Sequence, residues 1–577
     1  MHRCLQVSEI LRIIFFALNS QFGHERQGTL QDVANSALAC KTFYEPASDA
    51  LWHDLNDICP LFMCLPSEAW DTEEEDIPGG VSITLKLTRR LTDAEWAVVR
   101  KHAHRVRQVQ FRYTRWNAGY RVKYRPSQNL LDQLERHLLT HPTGFLGQRS
   151  FLPNLTTLSW EFEEYTDIRT NLIPLIADSS LKALTIVGSY EPPSTEAVQS
   201  MAGALHFLSS RCPHIQKIEI YRFSDDGWDM GNLFSVFIKS LREVREIGTH
   251  DFRVSIEDVA HLSNLTNYSG YFSPRRNQTS GKPRALILPG LRDWKLEVPD
   301  LEDVNILLSR VSSTSLRRLD IGVPVGPSIT PGNIQGIFMS VKTQTLMEEL
   351  ALTIRHDINV RPVLPGALPD IVIDSKVFEP LLSLRNLCKV FLEKLWVVDL
   401  DDSLIRDMAM AWGQIQWLSI SPKLGLPYPP RITVKGLLDF ARYCPRLLFL
   451  AIPLNPLSPS PEDSYAASQI SETGHRLEMF DILAWSRLYD PEALATFLVT
   501  LFPLISAHAA VRFLGTLPTE VTESWSSLCP FMRGYGAALE LQREDEAYGS
   551  DSDIDEDVEM DGSKDSGGGE STDFRLP

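Results

Sequence analysis

Cysteine is sparse and unpaired in this chain. Eight cysteines (4, 40, 59, 64, 212, 388, 444 and 529) are scattered over 577 residues, with no CxxC and no paired spacing with histidine. That excludes a disulfide framework and the common zinc modules, and reduced, buried thiols point to the cytoplasm or nucleus. Long apolar runs are missing too. The run IIFFAL (13–18) follows Glu9 and Arg12 and is too short for a signal peptide or a membrane span. Basic charge is not in excess: the formal net charge is −18, which argues against nucleic acid as the main partner. Gly-Lys-Ser/Thr, GxGxxG, HExxH and GxSxG signatures are absent. No catalytic, cofactor-binding or metal-ligating residue is assigned, and an enzyme would need a site assembled from distant positions.

What is present begins with residues 1–65. SEILRIIFFALN places Ile10, Leu11, Ile13, Ile14, Phe15 and Leu18 at helical spacing, with Ser8 as a capping residue. TLQDVANSALACKTF repeats the pattern through Leu30, Val33, Ala34 and Leu38, with Thr29 as cap, and Pro46 suits the opening of a third helix. Three short helices bury little core, so apolar surface on Leu5, Ile10, Leu11 and Phe15 is expected to face a partner.

The segments CLQVSEILRIIF and TLQDVANSALACKTFYEPASDALWHDL resemble the F-box, in the form found at the start of many large basidiomycete fungal proteins. The likeness covers about a tenth of the chain and includes a Cys/Lys/Phe turn (Cys40, Lys41, Phe43) and a closing Leu51–Trp52 pair. It departs from the family at Ser8, where a proline usually precedes the Glu of the first helix. The resemblance implies docking onto the small adaptor of an SCF-type cullin ubiquitin ligase, and through it onto a cullin scaffold. The implied contact residues are Leu5, Ile10, Leu11, Ile14, Phe15, Leu30, Val33, Cys40, Phe43 and Leu51.

Further along, an apolar residue recurs with a second three positions on and a third two beyond that. The pattern reads Val106/Val109/Phe111, Leu155/Leu158/Trp160, Leu181/Leu184/Ile186, Ile215/Ile218/Ile220, Leu291/Trp294/Leu296 and Leu316/Leu319/Ile321. It continues as Met347/Leu350/Leu352, Leu387/Val390/Leu392, Ile415/Leu418/Ile420, Leu447/Leu450/Ile452 and Leu477/Phe480/Ile482, with weaker copies near Leu241 and Leu265. Helical patterns such as NLFSVFIKSL and TVKGLLDFARYC fill the gaps. One strand and one helix per step predicts a leucine-rich solenoid, an α/β fold, in place of an ordinary parallel α/β domain. The array resembles the leucine-rich regions that often follow an F-box. The Asn or Cys ladder residue of regular repeats is absent at Thr114, Ser189 and Phe223, and wide steps after Val106 and Met347 imply insertions. An irregular arc is expected.

The domain reading is therefore a helical unit over 1–65, an acidic linker over 66–80 (DTEEEDIPGG), the array over 81–541 with Val81–Leu87 as a first strand, and a disordered acidic tail over 542–577. Ser550 and Ser552 in that tail each stand three residues before an acid, as acidophilic kinases favour. From Arg89 to Arg125 eleven Lys or Arg interleave with aromatics. Such a mixture can hold single-stranded nucleic acid or attract the acidic tail, but Val109 and Phe111 already belong to the repeat pattern and a solvated face is preferred. Two histidine doublets, His102/His104 and His137/His141, look metal-like, the second at i, i+4 helical spacing, but lack acidic or thiol ligands nearby, which disfavours zinc.

The function expected is a substrate-recognition subunit that positions an unidentified target protein without catalysing. Solvent-facing strand positions would contact the target: Gln108, Gln110, Arg112, Lys217, Glu219, Asp293, Lys295, Arg318, Asp320, Lys389, Phe391, Trp417 and Phe449. The alternative is a leucine-rich scaffold or regulator with no ligase role.

Overall fold

The structure is a computed structural model. It describes residues 7–549 except 20–25, 78–79, 112–113, 116–120, 141–149, 162–167, 189–193, 222–229, 273–284, 325–328, 356–371, 396, 423–427, 456, 472–474, 508 and 514–518. Leu5, Arg112, His141 and the acidic run from Ser550 onward lie outside the described residues.

The chain opens with helices α1 (Ser8–Asn19), α2 (Arg26–Ala39) and α3 (Lys41–His53). Their starts differ from the expected caps. The Leu11 N–H already bonds the Val7 carbonyl (3.1 Å), so Ser8 lies inside the first turn and its hydroxyl donates to Glu9 instead (3.1 Å). Thr29 likewise sits within α2, and α3 begins five residues before Pro46, because extended Cys40 offers its carbonyl to the Phe43 and Tyr44 N–H groups. Leu11, Phe15, Val33, Ala37, Ala47 and Ala50 form a small core of their own, with Phe43 edge-on to Phe15 at 5.7 Å. The other core begins at Leu55, two residues after α3, and runs through Met532. Packing thus divides the chain at His53, not at residue 65.

The short strand β1 (Asp54–Leu55) starts a sheet of fifteen parallel strands, each beside its successor in the array. Every strand that the repeat pattern predicts is present, and all thirty-three of its apolar side chains are buried. Alternation explains this, since positions two apart share a sheet face while helices cover the same core from outside. Strands β1 and Ala509–Phe513 add rungs at the two ends. The weak copies are strands as well, and their weakness has a packing cause. Thr249 stands where an apolar residue is usual and pairs across the sheet with Gly270. A Cβ at Gly270 would come within 2.1 Å of the Thr249 hydroxyl, so the glycine makes room for it.

A backbone ladder joins the repeats where the strands begin. In each repeat the carbonyl just before the strand accepts two successive N–H groups of the next repeat: Arg107 from Thr156 and Thr157, Thr156 from Lys182 and Ala183, and so on to Leu448 from Glu478 and Met479, at 2.7–3.1 Å. Because the acceptor is main chain, any residue type can occupy the position.

Two expectations change at the N-terminal end. The acidic stretch is a strand, β2 (Trp70–Ile77), antiparallel to β3 (Gly80–Leu87). Its acids face water at the edge of a side sheet, where Lys86 pairs with Glu73 (2.5 Å) and Asp71 (3.5 Å). Val81–Leu87 therefore belongs to that side sheet, with Thr114–Arg115 and Arg121–Pro126, and is not the first rung. These last two strands and the helix Gln128–Thr140 make up the insertion after Val106. At the far end the helix Leu528–Gly549 covers the last rungs, and its first turns bury Leu528 and Met532.

Candidate docking surfaces

The helical unit carries two apolar stripes where a short helix can bury one. Leu11 (1% exposed) and Phe15 take the inward stripe of α1, and Val33 does so on α2. The resemblance gives these three as partner contacts, yet they are the unit's own core, because without them Ala37, Ala47 and Ala50 would have nothing to pack on. The outward stripe is Ile10, Ile13, Ile14 and Leu18, joined from α2 by Leu30 and Leu38; Ile13 is 69% and Leu38 83% exposed. Among the expected contacts, then, Ile10, Ile14 and Leu30 are exposed. Cys40, Phe43 and Leu51 are half-buried, the last two against the small core. Val7, Ile13, Leu18 and Leu38 are exposed too but are not in the expected contact set, although the helical spacing that reveals the first stripe also carries the second.

The unit is held to the array by charge and ring contacts along α3. Arg105 donates to the carboxylates of Glu45 and Asp49, and Arg12 reaches Asp49 from α1 at 2.9 Å. The Arg105 hydrogen bond keeps the Glu45 carboxyl below its ordinary value. Trp52 lies on His102 with ring centroids 4.5 Å apart, and burial lowers the His102 pKa. His137 stacks on Trp96 (4.1 Å), so these histidines serve as packing partners. No cluster of potential metal ligands occurs among the described residues.

The concave face is built by register. Lys217, Glu246, Asn267, Asp293, Arg318, Glu349, Lys389, Trp417, Phe449 and Met479 are paired strand to strand into one continuous row. A second row two residues on contains Glu219, Lys295, Asp320 and Phe391. Twelve of the thirteen residues expected to contact the target thus lie on these two rows, which extend back to Gln108 and Gln110; Gln110 is buried and so is no contact, and Arg112 lies outside the described residues. The surface has two chemically different halves.

In the first half the charges pair with each other. Lys217 bonds Glu219 (3.0 Å), Arg318 lies between Asp293 (3.6 Å) and Glu349 (3.5 Å), Lys389 meets Glu349 (2.9 Å), and Lys295 meets Asp320 (3.8 Å). A groove of about 410 Å³ opens here, bordered by Lys217, Glu219, Glu246, His250, Asp293 and Lys295. Tyr221 stacks on His250 at 4.5 Å, and burial with the nearby Glu219 carboxylate pushes its phenol up to about 12. In the second half the row turns aromatic. Trp417 and Phe449 stack at 5.2 Å, Phe391 is beside them, and Met479 is exposed. Small residues, Ser419 and Ala451, pair across the neighbouring row.

Within the basic aromatic stretch, Arg89 pairs with Glu95 (2.6 Å) and Arg105 is engaged as above, while Phe111 is buried. No helix among the described residues is long and apolar enough to cross a membrane.

No family model and no curated protein matches this chain. Among solved structures, Rad7 in its yeast complex with Elc1 is similar at 12% identity, with 78% of this chain and 88% of that one covered and a TM-score of 0.32. A Bacteroides fragilis protein is similar at 14% identity over 60% of this chain and 81% of that one, with a TM-score of 0.24. Likenesses of this size leave the function to be argued from the surfaces themselves.

Proposed function

We propose that this chain is the substrate-recognition subunit of an SCF-type cullin ubiquitin ligase, acting in the cytoplasm or nucleus. In this reading α1 and α2 dock on the small adaptor, which links them to the cullin, and the concave face holds a target protein. The chain positions the target and leaves ubiquitin transfer to other subunits. The observation that carries the reading is the outward stripe of α1 and α2, an apolar surface on a unit whose own core is already complete. Burying each of its large side chains against a partner is worth about 1.5–3 kcal/mol. The aromatic half of the concave face supplies the kind of anchor that dominates protein interfaces, whereas the self-paired charges of the first half contribute register more than affinity.

The test is affinity capture of the full-length chain with the adaptor, read by mass spectrometry. Ile10→Asp with Ile13→Asp removes the adaptor while the thermal midpoint stays put, since both side chains are exposed. Leu11 is unsuitable for this purpose because its loss would unfold the unit. Capture that survives the double substitution, or its absence from the parent chain at any salt concentration, leaves a leucine-rich scaffold without a ligase role.

A further inference from the structure

One residue before the concave row, at the edge where the strands begin, each repeat presents the residue whose carbonyl builds the backbone ladder. Lys182, Arg245 and Arg292 occupy that position in three repeats, and all three are exposed. The register places Lys182 two strands from Arg245, and Arg245 two strands from Arg292. Neighbouring strands are about 4.8 Å apart, so the three cations recur at about 10 Å along the rim. Neutral Gln216 and Thr266 stand between them.

None of the three pairs with a carboxylate among the described residues. The acids beside them are already engaged: Glu246 with Lys217 (3.7 Å), Asp293 with Arg318 (3.6 Å) and Glu243 with His214 (3.0 Å). The other cations at this position are engaged: Arg107 donates to the His104 and Asn154 carbonyls (3.4 Å), and Arg317 bonds Glu348 at 2.5 Å. In a chain of net charge −18, three unmatched cations at a regular interval are a specific complement to something anionic.

We propose that the rim Lys182–Arg245–Arg292 binds an extended acidic segment of the target protein, with carboxylates at every third residue. In the extended polyproline II conformation a chain has three residues per turn and rises about 3.1 Å per residue, so every third side chain returns to the same face after about 9 Å and matches the rim interval. A nucleic acid fits less well. Its phosphates form a continuous line of charge, which would run against Glu219, Glu246 and Asp293 on the adjoining rows. A peptide can place isolated carboxylates on the rim and leave neutral residues against those acids. This substrate class rests on the proposed receptor role, but the rim is remote from α1 and α2.

The test uses the full-length chain and two fluorescent twelve-residue peptides of equal composition, one with Glu at every third position and one with the same glutamates in a single block. The spaced peptide binds at least about tenfold more tightly, and raising the salt to about 0.5 M weakens it by a similar factor. Lys182→Glu, Arg245→Glu and Arg292→Glu together abolish the preference, and the milder Lys182→Gln, Arg245→Gln and Arg292→Gln set does the same should the first set melt early. Equal affinity for the two peptides, a preference that survives both sets, or tighter binding of an oligothymidylate overturns the proposal. So does a tenfold gain on removing residues 550–577, which would make the chain's own acidic segment the occupant. Adaptor capture measured on the same rim variants stays intact, so a failure here is distinguishable from a failure of the receptor role.

Discussion

Arg105 and Asp49 join the two cores of this protein: the guanidinium, at the start of the array, donates to a carboxylate on α3 that also receives Arg12 from α1. Trp52 and Leu51, one residue apart on α3, pack respectively against the array and against the small core. A surface on α1 is therefore held at a set orientation to the concave face.

Arg105→Ala should release this joint. The arginine side chain is 11% exposed, so its loss leaves Glu45 and Asp49 without their main partner at a cost of about 1–2 kcal/mol. Hydrogen exchange should rise across α1–α3 and stay unchanged in the strands. Uniform protection in the variant would show that ring contacts alone suffice.

Phe15→Ala separates core from contact. Phe15 lies in the small core against Phe43, so the substitution is expected to cost about 3–5 kcal/mol and to melt the helical unit before the array. Two resolved transitions in calorimetry would establish this; a single unchanged transition would place Phe15 outside the core.

Trp417→Ala and Arg318→Ala should behave differently towards a captured target. Trp417 anchors the aromatic half, and its loss is expected to weaken capture by more than about tenfold. Arg318 is matched on both sides within the surface, and removing it should change stability by less than about 1 kcal/mol and capture only slightly. Target proteins quantified on immobilised variants provide the measurement.

His475 predicts a loss of stability in mild acid. Its Nδ1 accepts the Leu477 N–H (3.1 Å) while Nε2 faces the Cys444 carbonyl (2.9 Å), an arrangement that suits the neutral ring, and burial lowers its pKa below the ordinary 6.5. Its contribution is fully present above pH 6.5 and is lost as pH falls towards the folded-state value, because only the unfolded chain takes up the proton readily. The slope is at most about 1.4 kcal/mol per pH unit. Thermal midpoints of parent and His475→Gln between pH 7.5 and 5 should converge as the pH drops; parallel curves would exclude this histidine as the source.

Much of the array was legible because its signal is local. Leu418 and Ile420 are two apart on one strand, and the same period appears in every repeat. The acidic strand β2 was misread as a linker because its acids face solvent on an edge and give no apolar alternation. The rung at Thr249 and Gly270 was faint because complementarity between two chain segments replaced hydrophobicity in each.

The amino-acid sequence by itself determined the strand-and-helix repeat, the inward set of each strand and the presence of surplus apolar residues on α1. Only the tertiary structure decided which stripe of α1 is consumed by its own neighbours, that Arg318 finds Glu349 from the next strand, and that Lys182, Arg245 and Arg292 find no carboxylate among the described residues. The period of a strand or helix is set by bonds within a few residues, whereas burial and ion pairing depend on groups tens of residues away that register alone brings together.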